Sequence, residues 1–169
     1  MRNLWSRGQL GSLVLLVAAA LLILRPWEGG EAGPQAVDAL VTRVVDGDTV
    51  EARIDGKVED VRYIGVDTPE TVKPDTPVQC FGPRASAFNH RLVEGRRVRL
   101  VFGVERRDTY GRLLAYVYLG DRFVNASLIR RGLARTLTIP PNDRFAPLLR
   151  ELELSAARAG RGLWGACAP

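Results

Sequence analysis

Between residues 39 and 65 the chain writes three β patterns in succession, "ALVTRVV", "TVEARI" and "EDVRYIG", with the turn pair Asp55-Gly56 between the second and third. A two-residue connection of that composition closes a hairpin, because both residues tolerate positive φ. The second and third runs are therefore antiparallel neighbours. Two more strand patterns follow, "RVRLVF" (97–102) and "LLAYVYL" (113–119), and Gly120-Asp121 turns the latter into a short "RFV". Helical spacing appears in three places. Pro83 suits a first turn, the stripe Ala85, Phe88 and Leu92 follows, and Gly95 closes it. Asn125 reads as the cap of a second helix carrying Leu128 and Ile129 and stopped by Gly132. A third helix starts after Asn142 and Asp143, with a stripe of Phe145, Leu148, Leu149, Leu152, Ala156 and Ala159 ended by Gly160. Residues 71–80, "TVKPDTPVQC", hold two prolines and no periodicity, so they form a loop. Five strands mostly first, with three helices interleaved late, read as α+β with a small closed or half-closed barrel.

The start of the chain does not share this pattern. Arg2 and Arg7 precede the uncharged run "LGSLVLLVAAALLIL" (10–24), and Arg25-Pro26 follow it. Residues 1–27 are expected to be a signal peptide or a membrane anchor in the form of a hydrophobic helix. Residues 28–38 are a Gly/Pro-containing linker, and 39–169 the folded domain. Either reading of the leader sends the domain out of the cytoplasm, membrane-anchored or secreted, since the positive charges stay inside. Cys80 and Cys167 fit an oxidising destination as a disulfide pair, the alternative being two unrelated buried thiols. The net charge of +5 is carried by 22 arginines against two lysines. It suits an anionic partner, either nucleic acid or an acidic membrane surface. A monomer is the default.

Two apolar runs end in acid. "VVDGDTV" (44–50) is broken by Asp46 and Asp48, and "VRYIGVDTPET" (61–71) ends in Asp67 and Glu70. A meander brings such strand ends side by side. Asp48, Asp67 and Glu70 gathered there would repel one another and take up protons unless a cation joined them. Oxygen donors without nearby Cys or His select a hard ion, Ca²⁺ or Mg²⁺, and the Thr68 carbonyl can add a further oxygen. An EF-hand is excluded, since its third acidic position and distal glutamate are missing. Taken singly, each acid is also an ordinary turn residue. Arg62 sits inside a strand among apolar residues and needs an anion, either a phosphate or one of these same acids. Arg112 follows the turn "DTYG" (108–111). Two guanidinium groups beside a carboxylate-held cation suit a phosphodiester whose transition state gathers negative charge. The single histidine, His90, falls on the first helix and is expected to be solvated. A histidine pair is thus excluded, and the base is a carboxylate, a lysine or metal-bound water.

The blocks "DGDTV", "VRYIGVDTPET", "FGPRASAF", "TYGRLLAYVYL" and "VNASLIRRGLA" resemble the staphylococcal nuclease (thermonuclease) family in order and spacing, across about residues 39–165. The resemblance implies a five-stranded OB-fold β-barrel with three α-helices. It implies Ca²⁺-dependent hydrolysis of DNA and RNA, single strands favoured, at the bond from phosphorus to the 5′ oxygen, leaving 3′-phosphates. Residue by residue it assigns Ca²⁺ to Asp48, Asp67 and the Thr68 carbonyl, general-base work to Glu70, phosphate binding to Arg62 and transition-state stabilisation to Arg112. Asp46 stands behind the ligands rather than among them. The chain also departs from the family. Where members carry a tyrosine pair that stacks on a base, "TLTIPPN" (136–142) has no aromatic, and Thr109 replaces the lysine of the best-known member. Weaker substrate binding is expected from this, since one base–aromatic stack is worth about 1–3 kcal/mol. The rival reading is a catalytically inactive OB-fold nucleic-acid-binding module. A surface Ca²⁺-binding adhesion domain would leave both arginines without a task.

Overall fold

The computed structural model describes residues 35–72 and 74–167. Alternation between buried and exposed positions builds five long strands: β1 (Ala36–Val44), β2 (Thr49–Ile54), β3 (Lys57–Tyr63), β5 (Arg97–Arg107) and β6 (Leu113–Leu119). They are ordered β3-β2-β1-β5-β6, and a parallel pairing of Val61 to Tyr63 with Leu113 to Ala115 closes the ring. This is the five-stranded barrel expected of an OB-fold. The Asp55-Gly56 turn has positive φ at both residues, 48° and 83°, as a tight hairpin requires. β1 begins at Ala36, ahead of the expected Ala39, because residues 36–40 pair with β5. The short β7 (Arg122–Phe123) pairs antiparallel with the end of β6.

Inside the barrel Val41, Val50, Ala52, Val61, Leu100, Ala115 and Val117 are fully buried. Each large apolar side chain so enclosed contributes roughly 1.5–3 kcal/mol. α1 (Gly82–Val93) packs here through Ala85, Leu92 and Val93, with Pro83 in its first turn as expected. Its end is tied to β1 where the Gly95 N–H donates to the Val41 carbonyl at 3.0 Å. Asn89, fully buried, accepts from the Tyr63 hydroxyl at 3.1 Å and donates to the Asp46 carbonyl at 3.2 Å. The helix thereby braces the acid-rich turn after β1. Burial also pushes the Tyr63 hydroxyl well above the usual phenol range, so it remains a donor.

Two expectations need correction. Asn125 is not a helix cap: α2 (Val124–Arg130) is capped by Phe123. Asn125 lies buried within the helix, accepting from the Val117 N–H at 2.9 Å and donating to the Ile64 carbonyl at 2.8 Å. As expected, α3 (Ala146–Arg158) starts after Asn142 and Asp143, and the Asn142 amide is spent on both backbone groups of Glu105, at 3.0 and 2.8 Å. Leu148 belongs to the apolar stripe by spacing, yet it is 41% exposed, while Leu149 and Ala156 take the buried face. A short α4 (Leu163–Ala166) and a second small sheet, β4 (Gly65–Asp67) with β8 (Arg135–Leu137), complete the fold.

Cys80 and Cys167 are joined by a disulfide across 87 positions. His90 is exposed and pairs with Glu94 one turn on, at 2.9 Å. Among the described residues no helix is long and apolar enough to cross a membrane. The hydrophobic helix expected over 10–24 lies outside them.

Candidate active site

Asp48 follows Gly47 at the mouth of the β1–β2 turn and is only 4% exposed. A Cβ at residue 47 would stand 2.6 Å from the Thr68 side chain, so only glycine lets the two loops close. Across that contact Asp48 Oδ2 accepts from the Thr68 N–H at 2.6 Å and the Thr68 hydroxyl at 2.9 Å. Asp48 Oδ1 faces Arg62 Nη1 at 3.0 Å. The other end of that guanidinium, Nη2, reaches Asp67 Oδ1 at 3.2 Å. Arg62 is further held by the carbonyls of Val66, at 2.7 Å, and Tyr63, at 3.3 Å. Asp48 and Asp67, 19 positions apart, thus converge on one cation, and the internal ion pair weighed for Arg62 is formed.

Burial pushes the Asp48 carboxyl up to about 7, with Asp46 adding repulsion, and the attraction of Arg62 and the Thr68 hydrogen bonds only partly offset this. The carboxylate is short of positive charge. Asp46 Oδ1 accepts from the Asp48 N–H at 2.9 Å, which sets the turn.

Glu70 lies on the loop after Thr68. Its Oε1 accepts from the Thr71 and Val72 N–H groups at 2.8 and 2.9 Å. Its own backbone is clamped by Gln79, whose side chain accepts from the Glu70 N–H at 3.0 Å and whose N–H donates to the Glu70 carbonyl at 2.9 Å. Among the described residues no three acidic, His or Cys side chains gather closely enough to hold an ion. Of the three carboxylates singled out in the sequence, Asp48 and Asp67 meet through Arg62. The Glu70 carboxylate is drawn onto two backbone donors of its own loop.

Arg112 and Arg62 line one cleft of about 280 Å³, together with Asp108, Thr109, Leu137 and Ile139. Arg112 donates to Asp108 Oδ2 from Nε and from Nη2, each at 2.7 Å. Asp108 Oδ1 accepts from the Tyr110 and Arg112 N–H groups, both at 3.0 Å, so one carboxylate shapes the turn and aims the guanidinium. The sequence reading missed Asp108. Its signal was its place four residues before Arg112, at the head of "DTYG". The aliphatic Leu137 and Ile139 stand in the cleft from the aromatic-free segment, 41% and 60% exposed.

The donors offered by Asp48, Asp67 and the Thr68 carbonyl are all oxygen, and the buried member is undercompensated. That set fits a hard cation and disfavours a soft one.

The family model described as staphylococcal nuclease homologue matches residues 60–166. The thermonuclease of Staphylococcus intermedius is 42% identical over 160 residues, covering 91% of this chain and 95% of that protein. The thermonuclease of Staphylococcus hyicus is 39% identical over 160 residues, covering 89% and 95%. Endonuclease YncB of Bacillus subtilis (strain 168) is 41% identical over 130 residues, covering 76% of this chain and 62% of that protein.

Proposed function

Because this chain belongs to the staphylococcal nuclease family and is a nuclease, we propose that it is a calcium-dependent hydrolase of DNA and RNA alike. It cuts the bond from phosphorus to the 5′ oxygen and releases 3′-phosphates. The observation that supports this most strongly is the single guanidinium of Arg62 bridging Asp48 and Asp67 in the cleft that Arg112 also lines. A half-buried guanidinium flanked by two carboxylates, in a cleft that a second arginine also lines, is built to exchange partners with a phosphodiester.

The roles follow from the contacts. Asp48, Asp67 and the Thr68 carbonyl would hold the ion. When bound there, calcium supplies a positive charge against which a phosphate oxygen can lie. Arg62 is anchored by two carbonyls and by buried Asp48. Its Nη2 edge, paired with the exposed Asp67, is the one that passes to a phosphate oxygen. Arg112, aimed by Asp108, meets the charge that grows on the phosphoryl oxygens and the leaving oxygen. Glu70 accepts the proton of the attacking water on its carboxylate, which the Thr71 and Val72 N–H groups orient. With aliphatic groups at 137 and 139, the cleft holds a base by contact rather than by ring stacking.

The disulfide supports an extracytoplasmic place of work, whether the leader is cut or kept as an anchor. The domain acts as a monomer.

The test is digestion of single-stranded DNA and of RNA with calcium, repeated with excess chelator, followed by analysis of the product ends. Loss of both activities on chelation and 3′-phosphate products are expected. Undiminished cleavage in chelator, or 5′-phosphate ends, would overturn the proposal.

A further inference from the structure

Much of the positive charge lies away from the catalytic cleft. Arg122, Arg130, Arg131 and Arg161 line one open groove of about 800 Å³, and no carboxylate lines it with them. Arg122 also lines an adjoining depression of about 420 Å³ with Arg91 and Arg96, again without an acid. The two concavities thus form one basic track. Among the described residues, the ion pairs leave all six of these arginines out. Five of them are exposed and Arg161 is half-buried. Like charges gathered without counter-charge repel one another, which disfavours such a cluster unless an anion uses it.

The groove is also pre-arranged. Arg131 lies over the Phe88 ring at 4.9 Å. Arg161 donates from Nε to the Arg130 carbonyl at 2.9 Å and from Nη2 to the Ser155 hydroxyl at 2.8 Å. Guanidinium forks held in place match phosphate geometry better than lysines do.

The track shares no lining residue with the catalytic cleft. At about 100° per residue, Ser127, Arg130 and Arg131 fall on the side of α2 opposite Asn125. Asn125 grips Ile64 beside the active-site strand, so the helix turns its basic side away from that grip.

We propose that this track is a second nucleic-acid site, binding the phosphate backbone of a strand whose other stretch occupies the catalytic cleft. The inference rests on the nuclease reading given above. A sugar-phosphate backbone supplies the repeated anions that a row of arginines requires. A lipid surface is the poorer occupant. The track is concave, and none of the large, exposed hydrophobic residues that would enter a bilayer lines it.

Two triple variants test this in the full-length protein: Arg91→Gln/Arg96→Gln/Arg122→Gln and Arg122→Gln/Arg130→Gln/Arg131→Gln. Each is assayed on a trinucleotide and on a long unstructured strand. For the long strand KM is expected to rise about tenfold, and its log–log dependence on salt to flatten by roughly 2, three lost contacts at about 0.7 each. Trinucleotide turnover is expected to stay unchanged. Anisotropy of a labelled long strand in chelator measures the same site without catalysis, so a wild-type protein that cuts nothing still reports on the track. If one variant does not fold, judged by circular dichroism, the other carries the test. Equal loss on both substrates, or unaltered long-strand affinity in a folded variant, would overturn the proposal. So would selective loss of binding to phosphatidylglycerol vesicles with long-strand KM intact.

Discussion

Asp48→Asn should make the protein more stable and less active. Moving a carboxyl from 3.8 to about 7 means that its ionised form costs the fold roughly 4 kcal/mol. The dependence on pH has a definite sign. Below the unfolded value both states carry the proton and Asp48 contributes nothing. Between the two values the folded protein keeps a proton that the unfolded chain releases, so stability falls as pH rises. Above about 7 the whole penalty is present. Asparagine is neutral throughout. Its amide oxygen keeps an acceptor for Thr68 but gives up the contact with Arg62, so the measurable gain is smaller, about 2–3 kcal/mol. For a domain of this size that is roughly 8 °C in Tm. Urea and thermal unfolding in metal-free buffer would be compared at about pH 8, where the gain is full, and about pH 4, where most of it is gone. A variant less stable than wild type at the higher pH, or a difference that ignores pH, would refute the reasoning. Loss of cleavage alongside the gain would show a charge kept for function at the expense of stability.

Glu70→Gln and Arg112→Ala should each lower kcat by about 10²–10³ with unfolding unaltered, and near-normal turnover in either would remove the role assigned to that residue. Reducing the disulfide should destabilise the fold by at most about 4–5 kcal/mol on the chain-entropy estimate. Because Cys80 directly follows the Gln79 that clamps Glu70, kcat should fall further than KM rises in the reduced protein, and an unchanged kcat would show that the loop holds itself. Glu153 is buried, which would raise its pKa, but hydrogen bonds from Thr136 and Arg150 outweigh burial and hold it below the usual range. Its stabilising effect is therefore present above the ordinary glutamate value and lost as pH falls through the lowered one. Glu153→Gln should cost about 1–3 kcal/mol at neutral pH and soften the acid limb of the stability curve, as equilibrium unfolding against pH would read.

The barrel was legible because its signals are local. Alternation wrote the strands, Asp55-Gly56 wrote a hairpin and Pro83 opened a helix. Arg62 and Arg112 stood out as charges set in or against apolar strands. What escaped the sequence was long-range. Asn125 looks like a cap to any local reading, yet its amide answers two backbone groups elsewhere, at Val117 and Ile64. The pairing of Gly65–Asp67 with Arg135–Leu137 joins segments 70 positions apart, and "RTL" alone carries too little alternation to announce a strand. Glu70 was grouped with the other acids by charge, and nothing local announced that the Thr71 and Val72 N–H groups would hold its Oε1. The arginine track was invisible for a related reason: its members come from the C-terminal end of α1 and just beyond it, from β7, from the end of α2 and from the stretch after α3, and only folding sets them side by side.

The bond between Cys80 and Cys167 also imposes an order of events. The second sulfur is synthesised 87 residues after the first, later than every barrel strand and every helix up to α4. The loop bearing Glu70 can receive its covalent brace only when those elements have already been made and an oxidant is at hand. A ribosome still partway through the chain holds a cutting loop with no such brace.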